Sequence, residues 1–118
     1  MLKVLVVEDD SDLMYLYQTA LGQNGCQITQ ASYARDAIFE LSQHTFDAII
    51  LDLNLPDAYG GVVIDFILQD GTHRVDQVIV ITATDNWSEE MGKRGVQNVI
   101  LKPISMNQVV DAIRQVAR

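Results

Sequence analysis

Short apolar runs alternate with amphipathic stretches along the whole chain. Five runs stand out, Val4–Val7, Ile28–Ala31, Ala48–Leu51, Val78–Ile81 and Val99–Leu101, most of them rich in valine and isoleucine. Runs that are continuously apolar predict strands covered on both faces. Between them the spacing becomes helical. Leu13, Leu16, Tyr17, Ala20 and Leu21 make one stripe, which Asn24-Gly25 stops. Ala34, Ala37, Ile38 and Leu41 make a second, and Val63, Phe66 and Ile67 a third that closes at Asp70-Gly71. Met106, Val109, Val110, Ile113 and Ala117 make the last, opened by a capping box of Ser105 and Gln108. The weakest helix falls between Asn86 and Arg94, with Trp87 and Met91 as its apolar anchors.

This order is five βα units. Right-handed crossovers between parallel strands give an α/β fold, a doubly wound five-stranded parallel sheet with helices on both faces. At this length the favoured sheet order is 2-1-3-4-5. No repeat or linker interrupts the pattern, so residues 1–118 are expected to form one domain.

Composition narrows the function. Of 118 residues 48% are hydrophobic and 20% charged, an ordinary globular balance. No apolar run approaches the ~20 residues of a membrane helix. The apolar start, Met1 to Val7, runs straight into Glu8-Asp9-Asp10 and reads as a buried strand, not a signal peptide. A cytoplasmic protein without a membrane partner is expected. Cys26 is the only cysteine, which excludes an intrachain disulfide. A net charge of −8 argues against direct contact with nucleic acid.

Acidic residues concentrate at Glu8-Asp9-Asp10-Ser11-Asp12. Asp10, Ser11 or Asp12 is expected to cap the first helix. Functional groups in such sheets gather at the carboxyl ends of the strands. Those positions hold Glu8 and Asp9 after strand one, Asp52 after strand three, Thr82 after strand four and Lys102 after strand five. Singly, each has a structural explanation: a helix cap, a loop carboxylate, a strand threonine, a solvated lysine. Together, on neighbouring strands, they explain one another. Three carboxylates against one lysine leave a charge that a divalent cation would balance. Oxygen donors suit Mg²⁺. A metal there would draw in a phosphoryl donor, Lys102 and Thr82 would cradle its oxygens, and Asp52 becomes a plausible nucleophile.

Leu5-Val6-Val7-Glu8-Asp9-Asp10, Asp47 to Pro56 around Asp52, Val80-Ile81-Thr82-Ala83 and Leu101-Lys102-Pro103 resemble the motifs of bacterial response-regulator receiver domains. The resemblance covers essentially the whole chain and implies the flavodoxin-like (βα)5 fold. It implies that Asp52 is the phosphoacceptor, served by a sensor histidine kinase or a phosphotransfer protein. It implies that Asp9 ligates Mg²⁺ directly, that Glu8 does so through water, and that the backbone carbonyl of Asn54 adds a ligand. Thr82 and Lys102 would bind phosphoryl oxygens, with a cis bond between Lys102 and Pro103. Small Ala83 would leave access, Gly60 would open the third helix, and Asn54 and Thr84 would tune autodephosphorylation. The implied protein is a signalling module, not an enzyme with turnover. It acts on a downstream output domain or protein, and the family often forms homodimers through the face of the fourth helix, fifth strand and fifth helix.

Three positions depart from the family pattern. Val99 replaces an aromatic switch residue, Tyr59 stands where an aspartate often precedes the glycine, and the Thr82–Lys102 segment is slightly short. A signal route through the loop after Thr82, with Trp87 as its reporter, is therefore expected. Other readings are weaker. An aspartyl-phosphate phosphohydrolase would place a second Asp where Asn54 stands, a flavin carrier would not place Glu8-Asp9-Asp10 after strand one, and a degenerate receiver would have lost one of these residues.

Overall fold

The computed structural model describes residues 1–83 and 88–117. Leu2–Val7 (β1), Cys26–Ala31 (β2), Ala48–Asp52 (β3), Val78–Thr82 (β4) and Asn98–Leu101 (β5) form one sheet in the order β2-β1-β3-β4-β5, all parallel. The helices are Ser11–Gln23 (α1), Ala34–Gln43 (α2), Gly61–Asp70 (α3), Ser88–Lys93 (α4) and Met106–Val116 (α5). A short 3-10 turn at Val75–Gln77, which apolar periodicity does not reveal, leads into β4. No helix among the described residues is long and apolar enough to cross a membrane.

Alternation along the strands sorts the core into two layers. Val4, Val6, Ala48, Ile50, Ile79, Ile81 and Ile100 pack with Tyr17 of α1 and Ile113 of α5. Leu5, Val7, Ile49, Leu51, Val78 and Val80 pack with α2, α3 and Met91 of α4. β3 and β4 are buried along their entire length, as the unbroken apolar runs predict.

The helix boundaries follow local chemistry. Asp10 is the cap of α1, its Oδ1 accepting from the amides of Asp12 (2.9 Å) and Leu13 (3.1 Å). Gly25 (φ +81°) and Gly71 (φ +77°) follow α1 and α3 at the predicted stops. At α5 the serine half of the expected box is present, Gln108 N donating to Ser105 Oγ at 3.1 Å. The expected stripe of α1 is rotated: Met14, Tyr17 and Leu21 face inward and Leu16 is 51% exposed. Leu13 to Tyr17 is apolar throughout, so spacing there admits more than one phase. On α5 it is Val116, not Ala117, that is buried with Ile113.

α4 is the shortest helix described. Met91 is its fully buried anchor. Arg94, just past its end, ties it to α3 by donating to Asp65 Oδ1 at 2.9 Å, and reaches back to Glu90 at 3.2 Å. Its guanidinium lies 5.8 Å from the Tyr59 ring centre. Arg94→Ala is expected to cost at most about 1 kcal/mol of global stability, the range of a partly exposed ion pair. It should speed hydrogen exchange in α4 selectively. Equal exchange in α4 and α5 of the variant would show that the pair does not hold α4.

Candidate functional site

The ends of β1, β3, β4 and β5 deliver the site. Glu8 extends β1, its amide donating to Ala31 O at 3.0 Å. Asp52 closes β3 and Thr82 closes β4; all three are buried, Glu8 at 2% and Asp52 at 4% exposure. Glu8, Asp9 and Asp52 each offer a carboxylate oxygen, and these atoms lie within 4.8 Å of one another. Lys102, held beyond β5 by the hydrogen bond its amide donates to Thr82 O (2.8 Å), reaches back with Nζ 3.1 Å from Asp52 Oδ2 and 3.7 Å from Glu8 Oε1. The Lys102–Pro103 bond is cis, as the resemblance implies.

The loop after β3 is built around Asp52. Asn54 N donates to Asp52 Oδ1 at 2.9 Å, so both carboxylate oxygens are engaged. Asn54 also forms a bridge with Tyr59. Gly60 is needed for close approach: a Cβ there would sit 2.7 Å from Asp52 O and 2.8 Å from Leu53 Cα. Asp57 was not legible as a functional position. Its carboxylate accepts from Ala34 N (2.8 Å) and Arg35 N (3.1 Å), capping α2 from this loop.

The electrostatics express crowding. Burial, added to by the Asp52 charge, pushes Glu8 up to about 7 against the opposing pull of the Asp10 amide and Lys102. Burial works to lower the Lys102 pKa, but Asp52 and Glu8 outweigh it and hold it above its ordinary value. Asp10 N donates to Glu8 Oε2 at 3.1 Å, whereas Glu8 Oε1 has no hydrogen-bond donor among the described residues. Three oxygen donors, one of them with a buried oxygen that accepts no hydrogen bond, and a surplus of negative charge fit a small hard cation such as Mg²⁺.

Glu8, Asp9, Asp52 and Lys102 thus come together as the sequence predicts, with Thr82 at the adjoining strand end. Asn54 joins through its amide. Val99 is half-buried on the layer of α2, α3 and α4. Thr84 and Trp87 lie outside the described residues.

The response regulator receiver domain profile matches residues 4–114. This chain belongs to that family. The receiver is 31% identical over 121 residues to the virulence transcriptional regulatory protein PhoP of Salmonella typhimurium, covering 100% of this chain and 53% of PhoP. The chain thus spans about half the length of the curated relatives it matches. Among solved structures it resembles the receiver domain of a putative LuxO repressor protein from Vibrio parahaemolyticus, with 29% identity and a TM-score of 0.90 over 98% of this chain and 89% of that one. It shares its fold, at 20% identity and a TM-score of 0.89, with the receiver domain of the sensor histidine kinase PA1611 from Pseudomonas aeruginosa, solved with magnesium in its active-site cleft (98% and 97% covered).

The raised Glu8 pKa has a definite sign. The folded state keeps a proton that the unfolded chain loses above pH 4.5, so metal-free stability falls as pH rises from 4.5 to about 7. In EDTA, Glu8→Gln should stabilise the receiver by about 3 kcal/mol at pH 8. The gain should shrink to nearly nothing at pH 4.5. Denaturant melts at the two pH values check this; an equal gain at both would show that Glu8 is not the group titrating.

Proposed function

We propose that this receiver, residues 1–118, accepts a phosphoryl group on Asp52 from a sensor histidine kinase or a phosphotransfer protein in a Mg²⁺-dependent reaction. The observation that carries this reading is the buried Asp52 carboxylate beside two further carboxylates, with Lys102 Nζ at 3.1 Å. An oxygen of Asp52 forms a bond to phosphorus while the donor's P–N bond breaks, the electron pair leaving with the histidine. Glu8, Asp9, Asp52 and the Asn54 carbonyl would hold Mg²⁺, which would supply positive charge against the phosphoryl oxygens. The chain's own groups do the rest. Asn54 N orients the Asp52 carboxylate. Lys102 and the Thr82 hydroxyl receive the oxygens of the transferred group. Ala83, exposed and small, leaves the approach open.

Phosphorylation would switch the surface offered to an output domain or protein, or to a second copy. Likeness to PhoP, named a transcriptional regulatory protein, supports an output in transcription. The net charge of −8 supports a protein, not nucleic acid, as the direct partner. Membership of the receiver family supports the cytoplasm as the proposed compartment.

Acetyl phosphate with Mg²⁺ should add one phosphoryl mass, and none in excess EDTA. Asp52→Asn should remain unlabelled, and Asp9→Asn should need more Mg²⁺ for the same labelling. If Asp52→Asn labels as fast as the unaltered protein, the assignment of Asp52 is wrong.

A further inference from the structure

Tyr17 belongs to the core layer between the sheet and α1 and α5. It sits on the inward face of α1 with Met14 and Leu21, fully buried at 0% exposure. Val4 and Val6 of β1 and Ala48 and Ile50 of β3 face this same layer. Strand alternation therefore sends Glu8 and Asp52, the next members of those two rows, toward α1 as well. Buried tyrosine hydroxyls ordinarily find a partner. The Tyr17 hydroxyl has no hydrogen-bond partner among the described residues, and Glu8 Oε1 accepts no hydrogen bond, its ion-pair partner Lys102 Nζ standing 3.7 Å away. One group is a donor and the other an acceptor. Burial, with the charges of Glu8 and Asp52 added, pushes the Tyr17 phenol well above its ordinary pKa, so it keeps its proton.

We propose that Tyr17 is a positioning residue for the cation site, its hydroxyl donating a hydrogen bond to Oε1 of Glu8 when that carboxylate turns from Lys102 toward a bound divalent cation. The inference rests on the reading of Glu8, Asp9 and Asp52 as the Mg²⁺ site. In the metal-free protein Lys102, 3.7 Å from Glu8 Oε1 and 3.1 Å from Asp52, supplies the local positive charge. A cation there competes with the ammonium group, and Glu8 then needs another donor on its inner side. Tyr17 is a neutral donor in the layer that Glu8 faces, so it adds no charge to repel the metal. Partners of this kind set the orientation of metal-binding carboxylates.

Tyr17→Phe removes the hydroxyl and keeps the ring. In EDTA its melting temperature should equal or exceed that of the unaltered protein, because an unpaired buried hydroxyl is lost. In a titration with Mg²⁺ alone, followed by the amide NMR signals of Glu8, Asp9 and Asp52, it should need roughly tenfold more metal. With tyrosine carbon-13 labelled at the hydroxyl-bearing position, the Tyr17 signal, assigned by its absence in Tyr17→Phe, should move as Mg²⁺ is added. Equal midpoints, or a Tyr17 signal that stays still while the amides move, overturn the role of Tyr17 and leave the metal site standing. If the unaltered protein shows no Mg²⁺ shifts at those three amides, the metal site falls and this inference with it.

Discussion

Everything at the strand ends depends on how one lysine is shared between two buried carboxylates. Lys102 Nζ stands 3.1 Å from Asp52 and 3.7 Å from Glu8, with Asp9 outside them. A buried carboxylate without compensation is expensive, and an ammonium ion this close offsets that cost for one carboxylate, not two. The closer partner is Asp52. Glu8 takes the residual strain, which is why burial lifts its pKa while the Asp10 amide and Lys102 restrain it. The fold tolerates this arrangement because it is confined to the rim. Below it, Val4 to Val7, Ala48 to Leu51 and Val78 to Ile81 are buried apolar residues.

The same alternation that builds the core aims the site. A strand residue's parity decides which layer its side chain enters. Positions 8 and 52 continue the rows of Val6 and Ile50, both in the layer of α1 and α5. A one-residue slip of β1 against β3 would send one carboxylate to the opposite layer. Register pairs Val6 with Ile50, and four residues of continuous burial on both strands hold it.

This explains what could be read in the chain and what could not. The strands and their order were legible because fully covered strands need unbroken apolar runs, and Glu8, Asp9, Asp52, Thr82 and Lys102 were legible because they stand where those runs stop. The face of α1 was not, because Leu13 to Tyr17 offers apolar side chains all round and only packing against β1 selects Met14 over Leu16. The cap that Asp57 provides to α2 joins residues 23 apart in sequence, beyond any local pattern. His73 carries no local signal for a similar reason. Its burial and its bond from Phe46 N, 3.0 Å, arise from long-range packing, and burial keeps its pKa low, as an acceptor nitrogen requires. Tyr17 read as one more apolar position, since periodicity registers the ring and not where the hydroxyl ends.

A chain of contacts from the site to α4 follows from the same geometry. Asp52 Oδ1 accepts from Asn54, Asn54 bridges to Tyr59, and the Tyr59 ring lies 5.8 Å from the Arg94 guanidinium. A side chain on Gly61 would collide with that ring, so two consecutive glycines clear the path, Gly60 for the backbone at Asp52 and Gly61 for Tyr59. Arg94 then joins α3 through Asp65 and α4 through Glu90. Contiguous contacts carry a signal only where they end on an element with two arrangements. Among the described residues of α4, Met91 is fully buried. Val99, short and stiff, offers no aromatic lever on the β5 side. The loop through Tyr59 approaches α4 from the α3 side, and it begins at the carboxylate whose charge phosphorylation would change.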